Sequence, residues 1–456
     1  MIQPASQASQ DKGPGLKRVL RLRDLIFYGI LLVMPIAPIP IFGLMCQMSG
    51  GQAVTVVLIA MIAMMLTAVS YGRMAAIYPS AGSAYTYVGR GLNPHLGFLA
   101  GWAMFLDYLI QPLMNGIYGA LTLQRLVPHV PYVLMTALFI GFMTYLNLRG
   151  IHATAQADFL LLLIMCGVIT VFIVMAVRYL FHMHGWGGLF SSQPFYQPQA
   201  FHVHTILTGT SLAALTYIGF DGVTTLAEEV ENPGRNIMRA TVLVCLFTGV
   251  FGGLQVYLGQ RIWPNYKTFP HIATAYMDVT RLVGGRTLFD ALGVVLLLAA
   301  FGAGLTGQAG AARLLYGMGR DKVIPKRLFG HIDSKSGAPS FNIWIIGLIA
   351  FGGSLALSYV DAAELLNFGA FLAFMGVNLA TLRQFYFLRA NKQNRSFIRD
   401  GILPALGFLF CLGIWWGLSK PAKVVGSAWL ITGIVYLAVR TRGFRISPAP
   451  IDFTGQ

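Results

Sequence analysis

Charge is what this sequence holds least of. Only 11% of its 456 residues are Asp, Glu, Lys or Arg, against roughly 25% in a soluble domain. Acids are scarcer still, 16 against 32 Lys and Arg. The four cysteines, Cys46, Cys166, Cys245 and Cys411, show no Cys-x-x-Cys pairing and no His at ligand spacing, so they read as small packing residues. No Gly-rich loop precedes a Lys-Ser/Thr pair, which removes ATP-driven transport. Paired carboxylates, a His cluster or a nucleophile–base set at catalytic spacing are also missing, so the chain is not read as an enzyme and calls for no cofactor or metal. It also lacks a repeated selectivity filter and a soluble signalling domain, the features that a channel or sensor on the same spans would need.

What the chain has is hydrophobic length. Fifty-six per cent of its residues are apolar, and they recur in segments of about 20, enough for a helix to cross a hydrocarbon core of roughly 30 Å. Twelve such spans lie near 25–48, 52–75, 97–124, 131–148, 155–181, 205–228, 238–262, 287–316, 341–359, 363–387, 402–418 and 424–440. This is the pattern of an all-α integral membrane protein embedded in a lipid bilayer. The first 23 residues are polar and then basic, without a signal-peptide pattern, so the first span is expected to be an uncleaved membrane signal.

The net charge of +16 suggests a nucleic-acid partner until its distribution is followed. Twelve spans with both termini in the cytoplasm put 24 of the 32 Lys and Arg on that side, which is the positive-inside rule. Lys17, Arg18, Arg21 and Arg23 precede the first span; Arg320, Lys322, Lys326 and Arg327 follow the eighth; Arg389, Lys392, Arg395 and Arg399 follow the tenth. No nucleic acid is needed to explain the balance.

Two spans interrupt themselves. The first contains MPIAPIPIF, where Pro35, Pro38 and Pro40 each remove a backbone donor and clash with the preceding turn. The sixth contains LTYIGFDGVTTLAEEVENP, in which Gly219 and Gly222 flank Phe220 and the acid Asp221. An unpaired backbone group in lipid costs several kcal/mol, so such breaks survive only inside protein or along a watery cavity. Each opens a block of five spans. Because five is odd, the second block enters from the opposite face, the signature of an inverted-repeat transporter with its site at the midplane. The expected organisation is a cytoplasmic tail over 1–24, a first repeat over 25–181, a second over 203–387, two peripheral helices over 400–440 and a cytoplasmic tail over 441–456. After the prolines, Ile41, Phe42 and Gly43 are the amides expected to face a carboxylate.

Three stretches, YPSAGSAYTYVGRGLNPHLGFLAGW (residues 78–102), GFDGVTTLAEEVENP (219–233) and ARLLYGMGRDKVIP (312–325), resemble the amino acid/polyamine/organocation superfamily of secondary transporters. The likeness runs from about residue 20 to 440, and within the superfamily it is greatest to bacterial putrescine importers, through SAGSAYTY, LDYL, GFDGVTTLAEE and LLNFGAFLAF. The resemblance implies a LeuT-like 5+5 inverted repeat with broken first and sixth helices, two peripheral helices, alternating access and proton-driven uptake. It implies a small amine or amino acid as substrate and a proton as coupling ion. Its substrate-contact positions fall on Ile36, Ala37 and Ile39 in the first break, on Tyr217, Gly219, Phe220 and Asp221 in the second, and on Asp107 in the third span. The chain departs from the superfamily where PIAPIP replaces a Gly-Ser/Thr-Gly amide nest, where Pro40 stands in place of an acid, and in the fifth span, where FLLLLIMCG has no lysine.

Among individual residues, Asp107 in AMFLDYLIQP is an acid well inside a span with no basic residue within a turn, which suits a counter-ion for an ammonium or a carrier of the coupling proton. Asp221 is placed either to cap the second half-helix through the amides of Val223 or Thr224 or to touch the ligand. Glu228, at the cytoplasmic end of the sixth span, is a coupling or gate residue, whereas Glu229 is interfacial. Tyr85 and Tyr87 are expected on an amphipathic helix beneath the bundle, away from the site, and Asp158 at the membrane interface. No motif identifies a partner protein or sets an oligomeric state.

Overall fold

The computed structural model describes residues 18–80, 82–150, 155–320, 324–333, 338–388 and 396–448. Several of the basic residues counted above, Lys17, Lys322, Arg389, Lys392 and Arg395, lie outside the described residues, as do most of 1–24 and the end of 441–456. Among the described residues every regular element is helical, and one isolated bridge joins Leu20 to Val230.

The chain opens with α1 (Leu22–Val33), whose start is fixed by Asp24 accepting the Arg21 amide at 3.0 Å. It stops at Met34, which has a φ of 65°, directly before Pro35. Residues 34–41 form successive turns, with Ala37 N donating to Met34 O and Ile39 N to Ile36 O. Helix α2 (Phe42–Met48) then resumes. The backbone freed by the prolines is satisfied within the protein: Gln255 donates its side-chain amide to the Pro35 carbonyl at 2.9 Å. Helices α3 (Ala53–Ile77), α4 (Ser83–Gly91), α5 (Pro94–Leu126) and α6 (Tyr132–Leu148) follow. Asn93 caps α5 by accepting from the His95 amide, with Pro94 in the first turn, where a missing donor costs nothing.

Helix α7 (Ala155–Leu189) is kinked at Gly185. The sixth span is broken more extensively than one hinge would require. Helix α8 (Val203–Ala213) tightens into a 3₁₀ turn at Ala214–Tyr217, stops at Ile218 and Gly219, and continues as 3₁₀ over Phe220–Leu226. Its second half is therefore not the α-helical half expected from sequence. Then come α9 (Pro233–Ile262), α10 (Ala275–Arg320, kinked at Gly285), α11 (Lys326–Phe329), α12 (Ser340–Ala356), α13 (Tyr359–Leu382), α14 (Leu403–Gly417) and α15 (Lys420–Arg440). Nine helices among the described residues are long and apolar enough to cross a membrane, and α6 and α12 are shorter apolar ones.

Packing sorts these elements into two groups. Helices α1, α3 and α9 and the broken sixth segment pack on one another; α5, α6, α10 and α12 form the second set. Helix α13 leans on α5 and α3, and α14 and α15 lie outside. Trp102 of α5 and Trp429 of α15 stack at 4.8 Å and each donates its indole N–H to the other's carbonyl at 3.0 Å. The four cysteines lie on helices and are free.

Candidate transport cavity

Between the two groups is a cavity of about 320 Å³. Helix α1 contributes Tyr28 and Leu32, the start of α4 Ser83 and Tyr85, α5 Met104, Asp107, Tyr108 and Gln111, the sixth-segment break Ile218, Gly219, Asp221, Gly222 and Thr225, and α10 Thr306 and Leu314. Each position follows from local geometry. Asp107 and Gln111 are one helical turn apart and share a face of α5, as Tyr28 and Leu32 do on α1. Pro112 in α5 has no N–H to give the Tyr108 carbonyl, so that acceptor, one residue from Asp107, is without its helical partner.

At the break, Gly219 has a φ of 110°, a conformation closed to most L side chains, and a Cβ there would stand 3.1 Å from the Leu32 carbonyl oxygen. Glycine thus lets the sixth segment turn directly against α1. The Asp221 side chain is buried and faces the backbone amides of Gly219, Asp221 and Gly222. No side-chain cap of the 3₁₀ segment through Val223 or Thr224, one of the two roles open to Asp221, is formed, and the Thr224 hydroxyl donates to the Asp221 carbonyl at 2.7 Å. Ser83 and Thr224 hydroxyls are bonded at 2.9 Å, tying α4 to the break.

Asp107 and Asp221 line the same cavity and are near enough to interact electrostatically. Among the described residues, none that lines it is Lys, Arg or His. Two acids with no basic neighbour make an electronegative pocket suited to a cation. Among the described residues, no group of three or more His, Cys, Asp or Glu is arranged to hold a metal.

The other sequence candidates lie elsewhere. Ile36 and Ile39 are buried in the core and, with Ala37, form the turns of the first break without lining the cavity. The amide of Phe42 is taken by the Ile39 carbonyl at 3.2 Å, and Gly43 is pressed against Ile272 and Ala275. Tyr217 points away, donating its hydroxyl to the Val57 carbonyl at 2.8 Å, and Phe220 packs between Tyr71 and Phe374. Glu228 is half-buried outside the cavity. It adjoins a segment where Val19 and Leu20 donate to the Glu229 carbonyl and Arg21 approaches Glu231 at 3.7 Å. Asp158 sits in the first turn of α7, partly exposed. Tyr87 is buried against Tyr71 as an underlying residue would be, but Tyr85, expected off the site, lines the cavity because α4 folds in against the break. Sequence reasoning also passed over Tyr28, Gln111, Thr225 and Thr306. Gln111 and Thr225 stand four residues after the two acids, a spacing that would have found them.

A many-helix membrane bundle around a buried, acid-lined cavity defines the class as a membrane transport protein. Comparison with known proteins gives the family: the amino acid permease family model matches residues 24–441, and the chain belongs to that family. It is 33% identical over 438 residues to the low-affinity putrescine importer PlaP of Escherichia coli (strain K12), covering 95% of this chain and 96% of the relative. It is 25% identical over 471 residues to the branched-chain amino acid permease BcaP of Lactococcus lactis subsp. cremoris (strain MG1363), covering 95% and 97%. To the vacuolar cationic amino acid transporter 4 of Arabidopsis thaliana it is 27% identical over 388 residues, covering 80% and 63%.

Proposed function

We propose that this chain imports a small polyamine of the putrescine kind across a cell membrane, by alternating access and proton symport. The observation that carries the reading is the joint exposure of Asp107 and Asp221 to one cavity with no basic residue among the described residues of its lining. A diammonium ion matches two carboxylates, whereas the carboxylate of an amino acid would meet them as a like charge. The similarity to PlaP, a putrescine importer, points the same way.

The finer architecture in this reading is twelve spans in two inverted repeats, 25–181 and 203–387, with helices 400–440 peripheral and both termini cytoplasmic. Its support is the packing of counterparts: α3 lies on α9, α5 on α10 and α6 on α12, as pseudo-symmetric repeats would. Asp107 is the main ammonium partner, Asp221 and the glycines of the second break complete the site, and Ile36, Ala37, Ile39, Tyr217 and Phe220 hold the breaks in shape around it. Glu228 acts at the gate.

A second reading has one observation in its favour. The amides around Asp221 partly satisfy its carboxylate, and if they hold it fully, only Asp107 is left for an ammonium and a cationic or neutral amino acid becomes the substrate. Uptake into proteoliposomes decides. Radiolabelled putrescine and a panel of neutral and basic amino acids are each offered with and without an inward proton gradient. Saturable putrescine uptake, raised by the gradient, is the expected result; uptake of an amino acid with no putrescine uptake overturns the polyamine reading. Putrescine uptake indifferent to the gradient removes the symport part alone.

A further inference from the structure

On the outer side of the bundle, away from the transport cavity, α6 and α12 enclose a second hollow of about 310 Å³. It faces outward between exposed Leu138 and Phe142 on one helix and Trp344 and Leu348 on the other. Along α6 it runs from Ala137 to Leu148, about 16 Å at the helical rise. That is roughly half the hydrocarbon core of a bilayer, the depth of one leaflet.

The hollow owes its width to a missing side chain. A Cβ built on Gly141, one of its lining residues, meets no atom within 4 Å. The polar group on the floor, the Thr144 hydroxyl, is already engaged by the Gln308 side-chain amide at 2.8 Å, so the slot asks for hydrocarbon and not water. At its end, next after Leu148, stands Arg149. Its guanidinium is exposed, rests 5.3 Å over the ring of the groove residue Tyr145, and has no acidic partner among the described residues. An apolar slot one leaflet deep with a free cation at its interfacial end is complementary to a single-chain length of lipid carrying a negative headgroup.

We propose that the α6–α12 groove is a binding site for an anionic glycerophospholipid, one acyl chain lying over Gly141 between the helices and the headgroup phosphate held by Arg149.

The test is native mass spectrometry of the full chain, released in mild detergent from vesicles of equal phosphatidylglycerol and phosphatidylethanolamine. The wild type is expected to retain phosphatidylglycerol over phosphatidylethanolamine. Gly141→Leu, whose Cβ meets no atom within 4 Å and whose branch enters the slot, should lower the retained lipid about tenfold. Arg149→Gln should keep lipid but lose the preference for phosphatidylglycerol. Added phosphatidylglycerol should raise the melting temperature of the wild type and leave that of Gly141→Leu unchanged. Equal retention in wild type and Gly141→Leu overturns the site, and so does a wild-type dimer that Gly141→Leu converts to monomer, since a second copy then covers the groove. If Gly141→Leu does not fold, the headgroup preference of Arg149→Gln decides: an unchanged preference overturns the proposal.

Discussion

Asp107 and Asp400 show how differently an acid can be used in this protein. Asp107 lines the cavity and has no ion-pair partner among the described residues, whereas Asp400 is fully buried with the Arg73 guanidinium 2.5 Å away. Arg73 also donates to the Arg399 carbonyl and lies 3.9 Å over the Phe385 ring, so one side chain joins α3 to the segments on either side of residues 389–395. Asp107→Asn keeps the shape and removes the charge. Putrescine uptake should fall at least about 30-fold, the cost of unpairing a desolvated charge, with the amount of protein in the membrane unchanged; unaltered uptake and apparent affinity would end the assignment. Arg73→Met instead strands a buried carboxylate and should cost about 3 kcal/mol of stability, the low end for such a break because Arg399 and the Ser396 amide still reach Asp400. The double variant Arg73→Met with Asp400→Leu should recover part of that loss in a thermal melt. Asp107 was legible in sequence because an unpaired acid within an apolar run is conspicuous. Tyr85 was not, since its place in the cavity depends on how α4 folds against a segment more than a hundred residues away.

The elements were legible to the extent that their causes are local. Proline chemistry marks the first break within a residue or two, as Met34 to Ile41 shows, and the apolar runs locate the helices. The 3₁₀ winding of Phe220–Leu226 is not local: it follows from Gly219 turning against the Leu32 carbonyl and from packing between α1, α3 and α9. The two glycines of that segment should accordingly respond differently. Gly219→Ala combines a positive φ with a contact on backbone, which cannot yield, at a cost of roughly 1–3 kcal/mol. Gly222→Ala has an ordinary φ and meets only the flexible tip of Leu32. Melting temperature should drop for Gly219→Ala and change little for Gly222→Ala. Equal behaviour would mean that the left-handed turn does not set the break.

At the scale of the whole molecule, the cavity lies toward one end of the bundle. Its lining runs from Asp107 and Gln111 toward Ser83 and Tyr85 at the end of the bundle where α4 lies. At the opposite end of α5, Arg125 pairs with Asp278 of α10 and meets His271, and it also lies 5.5 Å from the Phe289 ring centre. The Arg125 and Asp278 side chains are only 14% and 11% exposed, so the pair is shielded enough to matter. It ties the end of α5 to the first turns of α10, before the kink at Gly285, within one packing group, and in the alternating-access cycle proposed above it is the gate at the end away from the cavity lining. A charged hydrogen bond of this kind is worth about 2 kcal/mol, and its loss should shift a two-state equilibrium roughly 30-fold. Asp278→Asn and Arg125→Gln should therefore each speed amide hydrogen exchange across residues 266–284 by about that factor while leaving α3 and α9 protected. Exchange that stays at the wild-type rate in both variants would show that this end is held shut by packing and not by the ion pair. Faster exchange spread over the whole bundle would mean that the pair supports the fold as a unit and is no gate.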